Sequence, residues 1–257
     1  MRRPEPWLTV ALFALLPLAL AGCASTPAPS QATGSAVAQR SINAAQGLLD
    51  RGDAEAALAE ASAAVRADPR NALAYLARSQ ALEALGRDEE AARDLQRAFA
   101  LAPKSGPVLN AYGAWLCRNG RAEEAMQRFV EALADEAYAR PAQAMANAGS
   151  CAASAGWVER AELNFRAALT LAPNDAQSLV GMARLEHDRG DHLRARAFLQ
   201  RREALAPLTA PELVLAIAIE EAAGDTQAAE RYRKQLSGLG GVPGAGSSTV
   251  DQGGSRR

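Results

Sequence analysis

The sequence predicts an all-α fold, a right-handed superhelical solenoid of six helix–turn–helix repeats, and three observations predict it. Glycines recur at Gly52, Gly86, Gly120, Gly156, Gly190 and Gly224, spaced 34, 34, 36, 34 and 34 residues apart. Five residues after each glycine stands an alanine: Ala57, Ala91, Ala125, Ala161, Ala195 and Ala229. Alanine makes up 62 of the 257 residues while aromatics make up 5%; this favours closely packed helices, because Ala loses no side-chain entropy in a helix. A β-sandwich or barrel needs β-branched and aromatic residues, so both are excluded. With 28 basic residues against 29 acidic ones, no basic field exists to draw in DNA or RNA, and no nucleic-acid partner is expected.

In chain order, the first 22 residues form an address. Arg2 and Arg3 precede an apolar run from Trp7 to Leu20 that is broken by Thr9 and Pro17. That is the layout of a signal peptide, too short for a comfortable transmembrane helix. Leu20-Ala21-Gly22-Cys23 resembles a bacterial lipobox, in which the Cys is acylated and becomes the first mature residue. The resemblance implies that Cys23 carries a lipid anchor, and Ala24 in place of an Asp implies sorting to the outer membrane. Residues 23–37 are rich in Ser, Thr, Pro and Ala and read as the lipidated Cys followed by a flexible tether. Residues 237–257 are rich in Gly and Ser and cannot bury enough surface to offset ordering, so they read as a disordered tail.

Between these segments the repeats are expected at 38–71, 72–105, 106–139, 142–175, 176–209 and 210–236. A 34-residue period is that of the tetratricopeptide repeat, a pair of antiparallel helices stacked on its neighbours. Gly sits at the turn within each pair, where positive φ is needed. The Asp residues after Gly52, Gly190 and Gly224 are placed to cap the second helix. Pro69, Pro103, Pro173 and Pro207 close most units, since Pro cannot continue a helix interior. The extra Arg140-Pro141 at the midpoint either bends the superhelix or separates two three-repeat halves. Arg202 departs from the pattern where an Ala is usual. Arg51-Gly52-Asp53 and Arg189-Gly190-Asp191 spell an adhesion tripeptide, but both fall on the repeat turn and are read as structural.

The chemistry inventory is short. No GxSxG, P-loop or dinucleotide fingerprint occurs, and the two lysines, Lys104 and Lys234, lie outside any Gly-rich phosphate-binding context. No catalytic residue, cofactor or small-molecule substrate is expected. His187 and His192, the only histidines, are five apart rather than at the i, i+4 spacing of a helical zinc pair. They read as a solvated helix end, with weak metal binding the sharper alternative. Cys117 and Cys151 lie on first helices of adjacent repeats. In an exported protein that suggests a disulfide; the alternative is two small buried residues that never meet, because their repeat positions differ. Partner binding is expected on the concave face lined by first helices. There Ile42, Leu49, Leu73 and Leu76, flanked by Gln46 and Gln80, would form an apolar docking groove on repeats 1 and 2 unless the chain before Ala38 covers it.

Several stretches go beyond a generic repeat: Leu109-Asn110-Ala111-Tyr112-Gly113-Ala114-Trp115-Leu116-Cys117, Asn147-Ala148-Gly149-Ser150-Cys151, Ala195-Arg196-Ala197-Phe198-Leu199-Gln200-Arg201 and Pro211-Glu212-Leu213. With the lipobox they resemble the type IV pilus biogenesis lipoproteins of the PilF/PilW family. The resemblance runs through all six repeats but not the Gly/Ser tail. It implies a pilotin: a lipid-anchored protein on the periplasmic face of the outer membrane that binds subunits of the pilus secretin and promotes their multimerisation. The alternatives are a general envelope adaptor that tethers peptidoglycan enzymes or assembly machinery, and an enzyme accessory or zinc protein using His187 and His192.

Overall fold

The computed structural model describes residues 31–240, and these form twelve helices with no strand among them. The signal peptide, Cys23 and the expected tail beyond residue 240 lie outside the described residues. The helices are α1 (Gln31–Asp50), α2 (Ala54–Ala67), α3 (Ala72–Ala84), α4 (Asp88–Leu101), α5 (Gly106–Arg118) and α6 (Ala122–Leu133). They continue with α7 (Pro141–Ser154), α8 (Val158–Leu171), α9 (Ala176–Asp188), α10 (His192–Glu203), α11 (Ala210–Ala222) and α12 (Thr226–Gly240). Odd helices are the first of each pair and even helices the second. All six turn glycines have positive φ, between 70° and 83°. Asp53 and Asp191 cap α2 and α10 by accepting the backbone N–H of Ala56 and Arg194, and Asp225 accepts that of Ala228.

In the first four pairs the second helix docks through a triad. It begins at the registered alanine, continues four residues later and ends three residues after that. The triads are Ala57/Ala61/Ala64, Ala91/Leu95/Ala98, Ala125/Phe129/Ala132 and Ala161/Phe165/Ala168, and every member is at most 1% exposed. The two rings sit where first helices lack a side chain. A Cβ on Gly113 would lie 2.8 Å from the Phe129 ring, and one on Gly149 would lie 2.6 Å from the Phe165 ring. Phe165 also fills the space beside Gly181 of the next repeat, so one ring locks two seams.

In repeat 5 the last triad position holds Arg202, buried yet charged. Its guanidinium donates to both carboxylate oxygens of Glu212 at 2.8 and 3.0 Å and to the Ala206 carbonyl at 3.0 Å. Glu212 in turn accepts the Thr209 backbone N–H and hydroxyl, which fixes the start of α11. The departure from the alanine pattern is therefore a buried ion pair tying repeat 5 to repeat 6.

Three expected boundaries differ from the structure. Helix α1 starts at Gln31 rather than 38, because Ala38 packs without exposure against Ala64 and Ala74, and Gly34 lets the helix pass close to the Ala67 carbonyl. Residues 237–240 belong to α12 and not to the tail. Pro141 is not linker but the first residue of α7, a position that suits its fixed φ and missing N–H. The space opened by the midpoint insertion is filled by Tyr138, which is buried against Leu109, Ala132 and Ala144 and stands over Gly106.

Two predictions follow from this packing. Gly149→Ala should lower stability, because overpacking costs about 1–3 kcal/mol and the gain in helix propensity returns only about 1 kcal/mol. A lower urea midpoint would bear this out, and an unchanged one would show that Phe165 can move. The second concerns Glu212. Burial pushes its carboxyl up, but the hydrogen bonds from Thr209 and Arg202 outweigh burial and hold it below the ordinary carboxylate value. A depressed folded-state pKa gives stability that is present above the unfolded value and lost as pH falls through the folded one. Glu212→Gln should therefore cost about 3–5 kcal/mol at neutral pH by stranding Arg202. It should also flatten the loss of stability on acidification below the usual carboxylate range, read by denaturation at a series of pH values.

Candidate partner-binding groove

Each first helix packs its backbone near the next first helix along the row, α1 to α3 and onward to α11, whereas the second helices stand farther apart, α6 and α8 meeting through the long Arg160–Glu123 ion pair at 3.3 Å. A row in contact on one side and splayed on the other curves with the first helices inside. That inner face carries the candidate site.

The apolar residues expected to form a docking groove on repeats 1 and 2 do not form an open surface. Leu76 is 7% exposed and packs with Leu95 and Val108, and Leu73 lies against the same cluster. Ile42 fills the seams lined by Ala38, Ala64 and Ala74 and by Ala45, Ala61 and Ala77. Leu49 is half-buried. Ala61 and Ala64 leave room on α2 that Ile42 of α1 fills. Of the flanking residues, Gln46 donates to Asp50 on its own helix, and Gln80 does face a groove.

The groove that exists is polar along its first stretch and partly apolar, at Val158, Phe165, Val180 and Leu185, along its second. Its first stretch, about 210 Å³, has Leu76 and Leu95 at its floor and is lined by Gln80 and Glu83 of α3, Asn110 and Arg118 of α5, Tyr138 and Arg140 at the midpoint joint, and Gln143 and Asn147 of α7. A second stretch of about 530 Å³ continues past Ser150, Gln177, Val180 and Arg184 to Glu212. Side-chain amides connect the two. Asn147 donates to Asn110 at 3.0 Å, and Gln177 donates to Asn147 at 3.1 Å and to Ser150 at 2.9 Å, so one chain of hydrogen bonds spans α5, α7 and α9. Amides can both donate and accept, which suits them to the backbone of an extended segment. Along the rim, Arg118 pairs with Glu83 at 2.6 Å. Gln143, Gln177 and Arg184 were not singled out from sequence; the second position of each repeat, where Gln143 and Gln177 fall, was the signal available.

Cys117 of α5 and Cys151 of α7 form a disulfide with their Cα atoms 5.7 Å apart, and the side chain of Cys151 is buried with Leu116 and Phe129. His187 and His192 lie at a part-solvated helix end, with one side of each ring turned inward. Both are half-buried, their ring centroids are 5.3 Å apart, and each Nδ1 is sealed from solvent without a hydrogen-bond partner. Among the described residues no three or more His, Cys, Asp or Glu side chains gather as a metal cluster, and no helix is long and apolar enough to cross a membrane.

Six helix pairs, positive-φ turns and an inner groove define a tetratricopeptide-repeat protein, a fold for protein–protein interaction. The tetratricopeptide repeat family matches residues 72–105 and 142–175. Over 233 residues the chain is 27% identical to the type IV pilus assembly protein PilF of Pseudomonas aeruginosa, covering 89% of this chain and 92% of that protein. The crystal structure of PilW, a widely conserved type IV pilus biogenesis factor, superposes with a TM-score of 0.68 at 30% identity, over 79% of this chain and 93% of that one. The structure of Pseudomonas aeruginosa PilF gives 0.66 at 26% identity, over 80% and 93%. The chain belongs to the family of type IV pilus biogenesis tetratricopeptide-repeat proteins, and these relatives support a pilus-related adaptor role with protein partners.

The disulfide carries a prediction of its own. It closes a 34-residue separation, for which the chain-entropy account gives about 3–4 kcal/mol. Replacing both cysteines by Ala should lower stability by about 2–4 kcal/mol in denaturant titration, and reductant should do the same to the native protein while leaving the double variant unchanged.

Proposed function

We propose that this protein is a pilotin: an outer-membrane lipoprotein, acylated at Cys23, that holds secretin subunits of the type IV pilus and promotes their assembly into multimers. The observation that carries this reading is the continuous amide-lined groove on the inner face of a solenoid of the pilus biogenesis family. An extended segment of the secretin would lie along that groove, with its peptide groups exchanging hydrogen bonds with Asn110, Asn147 and Gln177. The charged rim at Glu83, Arg118 and Arg140 would select its side chains. The lipobox at residues 20–23 supports the anchor. Anchoring raises the local concentration of bound subunits at the membrane without any new contact, and more than one acyl chain is needed to make it stable.

The reading is tested first in cells. Deletion should abolish detergent-resistant secretin multimers while monomeric secretin persists, and Cys23→Ala should mislocalise both the protein and the multimers. Normal multimers in the outer membrane of the deletion strain would overturn it. On purified protein, Arg118→Glu combined with Gln143→Glu should abolish secretin co-purification with the helical spectrum unchanged. Leu73 and Leu76 are poor probes, because charge there would disrupt the core.

A further inference from the structure

We propose that the first stretch of the inner groove is a carboxylate pocket, in which the Tyr138 hydroxyl and the Arg140 guanidinium take an acidic side chain of the bound partner segment. The inference rests on the reading that this groove holds an extended peptide, and it names the chemistry of one of that peptide's side chains. Tyr138 stands at the joint between α6 and α7. It is 6% exposed, packs against Leu109, Ala132 and Ala144, and forms part of the pocket wall. Its hydroxyl is buried and has no hydrogen-bond partner. Packing does not account for that hydroxyl, because Phe would fill the same gap and leave no polar atom unpaired. A buried hydroxyl without a partner is destabilising, and such orphans are rare enough to call for an explanation. The pocket beside it supplies one.

The lining selects an anion. Of its three charged side chains, Arg118 and Glu83 are spent on one another at 2.6 Å, whereas Arg140 has no ion pair among the described residues. The one uncompensated charge is therefore positive. Burial pushes the Tyr138 phenol up and the Arg140 charge works against it, so the phenol is a neutral donor within the field of the guanidinium. Arg140 is also the N-cap of α7, where no side chain caps the helix and Pro141 follows, so the positive end of the helix dipole lies at the same joint. Gln143, in the first turn of α7, adds a side-chain amide to the wall. A phenol O–H, a guanidinium and an amide can all donate to one carboxylate, and bonds to a charged acceptor are the strong ones. Leu76 and Leu95 on the floor receive the methylene groups of a glutamate. At about 210 Å³ the space is smaller than the roughly 300 Å³ at which small-molecule pockets begin, so it takes one side chain of a larger partner.

The test titrates a blocked peptide, one Glu flanked by alanines, into 15N-labelled protein while the Arg140 Nε–H and Gln143 amide resonances are followed. The same peptide with Gln or Lys in place of Glu serves as control. The Glu peptide should shift both resonances to saturation and bind at least about tenfold more tightly than either control. Tyr138→Phe should weaken it by about 10–100-fold, the range for a hydrogen bond to a charged group. The melting temperature of that variant should be equal or higher, since an unpaired hydroxyl has been removed. Arg140→Gln should erase the preference for Glu. No shift at millimolar Glu peptide, equal binding of the three peptides, or equal binding by the native protein and Tyr138→Phe would overturn the proposal. So would a lower melting temperature for Tyr138→Phe, because the hydroxyl would then serve the fold. Secretin separates this inference from the pilotin reading. If it co-purifies equally with the native protein and Arg140→Gln, the pilotin reading stands and the carboxylate pocket falls. If the Glu peptide is selected but the native protein retains no secretin, the pocket stands and the pilotin reading falls.

Discussion

The structure rests on one steric fit, clearest in repeats 3 and 4: a small–large–small triad on the second helix pressed onto a first helix that is bare at the contact point. Phe165 shows the constraint most clearly. Its ring occupies the volume that side chains on Gly149 and Gly181 would need, so the ring and the glycines require one another. Where the large member shrinks to Ala61, in repeat 1, Ile42 and the alanines of α1 fill the seam in its place. Packing of this density tolerates little change in volume. Repetition of the fit, rather than any one large core, lets a chain with few aromatics hold a defined shape. Arg202 is the exception that obeys the rule. A guanidinium is accepted at a small-residue site only because Glu212 and the Ala206 carbonyl satisfy it.

The same fit decides the character of the inner face. Most apolar side chains are consumed in the seams between first and second helices and between successive first helices, and amides and charges dominate the first stretch of the concavity. The amides bond to one another in the free protein, so the face is organised before any partner arrives. A partner that replaces those bonds with its own peptide groups loses little by doing so, since each amide keeps a hydrogen bond throughout. Such a groove is suited to reading extended backbone, with selectivity left to the rim.

Much of this was legible in the sequence because the glycine and alanine registers carry it. The 34-residue spacing located the turns, and the positive φ at all six glycines is the physical reason the spacing exists. The groove was harder to read. Counting repeat positions says which face a residue occupies, but not how far the neighbouring helix has sunk toward it. Leu76 shares a face with Gln80, yet Leu95 and Val108 close over it. The histidines show a related limit. A five-residue separation across a turn reads as two unconnected helix ends until the turn's dihedrals are known, and those dihedrals bring the rings together.

The midpoint insertion bears most directly on function, because two extra residues between stacked repeats would ordinarily make a hinge. Here the joint is closed by several independent ties. The Asp135 carboxylate accepts the Gly106 N–H at 2.6 Å, reaching back across its own repeat. Tyr138 fills the gap, and burial pushes its phenol up, so that it stays neutral among apolar neighbours. Asn147 reaches Asn110 across the joint, and the Cys117–Cys151 bridge crosses it covalently. These ties all join repeats 3 and 4 or brace the ends of their helices, and the amide ladder passes directly over them. A groove assembled from two loosely hinged halves would lose, on ordering, part of what its contacts gain. Fixing the joint in advance removes that cost and holds the amide ladder over repeats 3 to 5 as one preformed face.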